Sequence, residues 1–298
     1  MKKALRAKII DILLLAMIIL PFVGCMVLKI LTRPLSEGIS ITGAQIYFTI
    51  PMPLMDFVVS EAQVNSVAVV IALLGLCLYL THGISVVPQS KRQIAAEWIV
   101  EKVQGLVNDN MGERFKAFGP FIAAIMGLSA FSSLSSLLGL FPPTSDVNIL
   151  MGWAILVFIL LTYYKLKGGV WYYVKGYFEP IPFFAPMNVI GEIATPISMA
   201  FRHYGNVLSG VVISTLIASA LQGLSRMLLS WLPGALGEIP FLQAGLPGIL
   251  SMYFDVFSGC LQAFIFAMLT MLNIANGFPE EEYERRMAKR KKKALHHA

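Results

Sequence analysis

Six apolar stretches, roughly residues 9–31, 64–86, 118–140, 149–165, 188–221 and 248–277, limit what this chain can fold into. About 20 consecutive apolar residues are what an α-helix needs to cross the hydrocarbon core of a bilayer. Only 13% of the 298 residues are charged and 57% are hydrophobic, whereas a soluble domain carries about 25% charged residues. The reading is an all-α polytopic membrane protein of about six membrane helices. The last two are long and tilted, and an amphipathic helix lies on the membrane surface.

Basic residues sort to the cytoplasmic side of a membrane protein. If the N-terminus is cytoplasmic, nineteen of the 23 lysines and arginines fall on that side. They precede the first helix, fill the segment between the second and third, join the fourth to the fifth, and crowd the tail from Arg285 to Lys293. The remainder are Lys29, Arg33, Arg202 and Arg226. The pI near 9.2 is therefore a matter of topology, not of nucleic-acid binding. The run "RRMAKRKKK" reads as a solvated basic tail against anionic lipid. Both termini are expected in the cytoplasm.

Several features invite a functional reading and do not sustain it. Cys25, Cys77 and Cys260 lie far apart in apolar spans without metal-ligand or redox spacing, so they read as small packing residues. The basic-then-apolar N-terminus could be a signal peptide, or a lipoprotein signal ending at "PFVGC". However, the apolar run continues past Cys25 to Leu31, and Phe22 fits a lipoprotein box poorly, so a retained helix is expected. In "SKRQIAAEWIVEKVQGLVNDNMGERF", Ile94, Trp98, Val103 and Leu106 among charges mark the surface helix. No P-loop, HExxH, Ser/His/Asp pattern or internal repeat is present, and no cofactor or metal is expected.

The last two spans carry the chemistry. The stretch 188–221 would be about 51 Å long at 1.5 Å per residue, against an apolar core of about 30 Å, so it must tilt or run partly along the membrane. At about 100° per residue, Asn188, Glu192, Thr195, Ser198, Arg202, Asn206 and Ser209 share a third of the wheel. Ser251, Asp255, Ser258, Gln262, Asn273 and Asn276 cluster on the final helix. Facing polar stripes suit a hydrated ion path, though amides and hydroxyls can also simply hold helices together. Arg202, Glu192 and Asp255 favour the path, because intramembrane ionisable groups mark ion routes.

Three segments are recognisable. "GEIATPISMAFRHYGNVLSG" resembles the signature of the a subunit of F-type ATP synthase, "DVFSGCLQAFIFAMLTMLNIA" resembles its last helix, and "LLGLFPPTSDVN" resembles a loop between earlier helices. The resemblance covers 47–277. It leaves 1–46 as a basic segment, an extra membrane helix and an outer loop, and 278–298 as a charged cytoplasmic tail. It implies a non-catalytic subunit of the bacterial plasma membrane that works against a rotating ring of c subunits. Its other implied partners are the b-subunit peripheral stalk, the rest of the synthase and the lipid bilayer. Protons, or sodium ions, would enter and leave by two half-channels separated by a fixed cation.

Carried over by residue, Arg202 matches the essential arginine, Asn206 the amide one turn on, Gln262 the glutamine facing the arginine, and Ser198 a small polar position. Glu192 joins them as a further acid in the stripe. Some members pair an acid nine residues after the arginine with a histidine seven before the glutamine. Here those positions are Val211 and Asp255, which leaves a single acid on the last helix. Asp146 could cap the helix that begins near Val147, and His203 could merely pack. A secondary transporter with a buried arginine, or a membrane scaffold, is the alternative. The first lacks paired halves and broken helices, and the charged stripes oppose the second.

Overall fold

The computed structural model describes residues 2–32, 43–53, 56–86, 90–179, 181–229, 242 and 245–295. Arg33 with most of the outer loop after it, the tail beyond 295, and the side chain of Ser251 lie outside them. Helix α1 (Lys2–Thr32) is followed by a two-stranded antiparallel hairpin, β1 (Ile46–Ile50) and β2 (Phe57–Ser60), which nothing in the apolar pattern announces. Then come α2 (Glu61–Thr81), α3 (Lys91–Met111), α4 (Gly119–Leu134), α5 (Val147–Leu166), the short α6 (Val170–Tyr177) and α7 (Ala185–Leu229). α8 (Leu246–Ser251), a π-helical stretch (Met252–Ser258), α9 (Gly259–Gly277) and α10 (Glu280–Leu295) complete the chain. Six of these helical segments are long and apolar enough to span a bilayer.

Helix starts follow local chemistry. Ser90 caps α3 by accepting from the Gln93 backbone N–H at 3.2 Å, and Asp146 caps α5 by accepting from Asn148 N–H at 2.9 Å. The capping expected of Asp146 is therefore found. Gly112, at φ +84°, closes α3 in a conformation that favours glycine.

The core is built where α4, α5 and α9 meet. Ile122, Val157, Met271 and Ile274 are almost wholly buried there, and Val107 and Met111 of α3 join them. The surface helix is thus half embedded: its C-terminal half packs on the bundle while Ile94 and Trp98 stay exposed. Small residues let helices close up, as is common in membranes. Gly259 backs onto Ser133, and Gly75 meets Met17 and Ile18 of α1.

Three elements depart from expectation. α7 runs for 45 residues, about 68 Å, with Pro196 inside it and buried. The final span is not one α-helix, because the π stretch adds a residue to the turn and breaks the 100° step on which its polar stripe was counted. The tail, expected as a solvated basic tail with no helix assigned to it, is helical over Glu280–Leu295. Glu280, Glu281 and Glu282 lie at the positive end of α10, and Arg114 holds Glu284 at 2.7 Å and Glu280 at 3.2 Å.

Candidate functional site

The end of α5, one side of α6, the first turns of α7 and the end of α9 line an open cavity of about 590 Å³. Glu192 reaches its wall from α7 with a side chain only 5% exposed. A carboxylate so buried needs partners, and it has three. Lys165 Nζ lies 3.2 Å from Oε1, Tyr173 donates to Oε1 at 3.1 Å, and Tyr177 donates to Oε2 at 2.5 Å. The two phenol hydroxyls also touch each other. Burial, reinforced for Tyr177 by the hydrogen bond to Glu192, pushes both phenols above their ordinary range, so they remain neutral donors. Asn188 donates to the carbonyls of Tyr177 and Glu179 at 2.8 and 3.3 Å and ties α6 to α7. Thr195, Asn273 and Asn276 add polar lining.

Arg202 is ten residues further along α7, about 15 Å up the axis. It is exposed, and Phe201 beside it is also exposed. Among the described residues it makes no hydrogen bond or ion pair. Ser198 and Ser209 are exposed on the same side, and Asn206 is half-buried. The polar stripe therefore follows a border of α7. Its Glu192 end is buried in the bundle, and its Arg202 edge is open.

His203, one step round the helix, faces inward and is 1% exposed. Its Nε2 is 3.3 Å from Ser129 Oγ, with Trp153 and Phe266 edge-on to the ring. It packs α7 against α4, α5 and α9.

α7 and the last span run antiparallel. Asn273 donates to Met199 Sδ at 3.4 Å. Towards the other end Phe254 lies on Gly210 so closely that a Cβ there would come within 3.1 Å of it. Gln262, 7% exposed, falls between these contacts on its helix, as Arg202 does on α7. No hydrogen bond joins the two side chains. Asp255 is half-buried in the π stretch, next to Phe254. It lies at the level of Gly210, about 12 Å beyond Arg202, on the side away from Glu192. Ser258 is half-buried as well.

The sequence pattern led to Glu192, Arg202, Gln262 and Asp255 but missed Lys165, Tyr173 and Tyr177. The two tyrosines are four apart on a helix too short to show a period, and Lys165 stood out only as a topology marker. The cysteines are free, with Cys25 buried and Cys77 and Cys260 exposed.

The sequence model of the family described as ATP synthase A chain matches residues 63–275. The chain is similar to the ATP synthase subunit a of Bacillus pumilus (strain SAFR-032), 33% identical over 76% of this chain and 95% of that protein. It is also similar to the ATP synthase subunit a of Listeria welshimeri, 31% identical over 78% and 97%. For the ATP synthase subunit a of Bacillus subtilis (strain 168) the figures are 32% over 77% and 96%.

Proposed function

The chain belongs to the ATP synthase A chain family, and from that premise we propose that it carries protons, or sodium ions, past a rotating c-subunit ring through two half-channels with Arg202 as the fixed charge between them. It is a multi-pass membrane protein of the synthase's membrane sector. In this reading it performs no bond chemistry of its own. Both termini face the cytoplasm, the membrane is the bacterial plasma membrane, and the b-subunit stalk holds the bundle still while residues 47–277 do the work.

One observation carries the reading: Arg202 stands mid-span, exposed and unpartnered within the described chain. A guanidinium cannot shed its charge, and a charge facing lipid at that depth is expensive. Its partner must therefore come from another chain. A ring carboxylate supplies what is missing: the nearby cation favours the ionised form, so the carboxylate gives up its ion on reaching Arg202. The same charge repels ions that would cross without turning the ring. Glu192 with its cavity serves the cytoplasmic half-channel, and Asp255, on the other side of Arg202, the outer one. Gln262, Asn206 and Ser198 line the approach to the arginine. Movement of one charge is driven by about 2.3 kcal/mol per 100 mV.

The test is ATP-driven pumping by vesicles holding normal amounts of assembled Arg202→Ala complex. Coupled pumping should be abolished, and Arg202→Lys should rescue it little, since a partly desolvated ammonium can lose its charge. Substantial coupled pumping by Arg202→Ala overturns the reading.

A further inference from the structure

Lys165 occupies the place on Glu192 that a transported cation would need. Its ammonium is 3.2 Å from the carboxylate, and the Lys165 side chain as a whole is 26% exposed at the edge of the cavity, against 5% for Glu192. Its stem is guided there by α9. A Cβ at Gly277 would come within 2.9 Å of Lys165 Cε and 3.3 Å of Cγ, so the bare backbone forms the groove in which the stem lies. Apart from Lys165 and Glu192, the cavity lining is uncharged. The pocket is electrically balanced with Lys165 in, and an added cation would meet an ammonium at contact distance, where like charges repel strongly.

We propose, on the reading that Glu192 is a station of the ion path, that Lys165 is a tethered counter-cation: it fills the Glu192 site at rest and is displaced by the monovalent cation in transit. The hydroxyls of Tyr173 and Tyr177 hold the carboxylate in place during the exchange. Competition from the tether weakens ion binding, so the ion leaves quickly and no ion stays in the pocket to block the next. The flexible four-carbon stem suits Lys for this work, and the planar arginine fork suits it less.

The experiment uses the whole complex in vesicles, with ATP-driven pumping measured against ion concentration on the side of the soluble head, first with protons and then with sodium ions. Lys165→Met keeps the stem on Gly277 and removes the charge. It should lower the half-saturating ion concentration about tenfold and reduce the maximal rate. Gly277→Ala, which pushes the stem aside without touching the cavity's charges, should shift saturation in the same direction. It is the variant to rely on if Lys165→Met fails to assemble. In a Glu192→Gln background, Lys165→Met should produce no further shift. Half-saturation within twofold of wild type in assembled Lys165→Met or Gly277→Ala, while Glu192→Gln is impaired, overturns the tether. If Glu192→Gln pumps like wild type, the assignment of Glu192 to the path falls instead.

Discussion

Arg202 and His203 are covalent neighbours with opposite surroundings, one open and charged, the other sealed among Ser129, Trp153 and Phe266. The 100° step of an α-helix makes this unavoidable: seating one side chain in the bundle turns the other out. His203 is read here as packing and not as a proton relay. His203→Leu should therefore leave pumping within twofold of wild type. It should cost about 1 kcal/mol of stability, for the Ser129 hydroxyl left without its partner. A thermal melt of the purified complex and a pumping assay check both halves, and lost pumping with normal assembly would make the imidazole a relay. At this scale the sequence was informative wherever one residue type is costly by itself. An arginine or glutamate in an apolar span identifies itself. The partners of Glu192 did not, because Lys165, Tyr173 and Tyr177 reach it from 15 to 27 positions away, and only the folded chain brings them together.

Among the elements, the six spans were legible because the bilayer imposes their length. The hairpin, α6 and the π stretch were not, since each is short and answers to its neighbours more than to any periodicity. The π stretch has a consequence. A π turn adds one residue to an α-helical stretch, so residues before it are rotated by about one helical step relative to Gln262. A π turn completes its rotation with one residue more than an α turn, so deleting Val256 should convert the stretch to α-helix and leave Asp255 close to its present direction while α9 keeps its packing on α4. The deletion should therefore pump well above the rate of Asp255→Asn, with assembled complex still present. Pumping as low as that of Asp255→Asn by the assembled deletion would mean that the π turn does more than absorb the extra residue.

For the molecule as a whole, the question is whether α1 belongs to the working bundle, since the family's sequence model matches residues 63–275 and begins after it. Its two ends answer. Near the N-terminal end Arg92 of α3 donates to Asp11 at 2.7 Å, with His82 3.4 Å from the same carboxylate. Near the C-terminal end Lys29 meets Glu61 of α2 at 3.0 Å and donates to the Gly139 carbonyl at 2.8 Å. Glu61 is 3% exposed and accepts from Phe141 N–H, while Asn65 donates to the Phe141 carbonyl at 2.8 Å. The loop that leads to Asp146 and α5 is thereby fastened to α2, and the cation that balances its buried carboxylate comes from α1. A leader cut off near Cys25 would not strand a buried charge, but loss of Lys29 would. Lys29→Met should therefore destabilise the purified chain by about 3 kcal/mol, the lower end of what breaking a buried pair costs, because Lys29 is partly solvated. Adding Glu61→Gln to Lys29→Met should recover most of that loss, since no uncompensated charge then remains. Unfolding of the two variants in detergent measures the difference. Equal stability of Lys29→Met and wild type would show that α1 merely leans on the bundle, and that the outer loop holds its place without it.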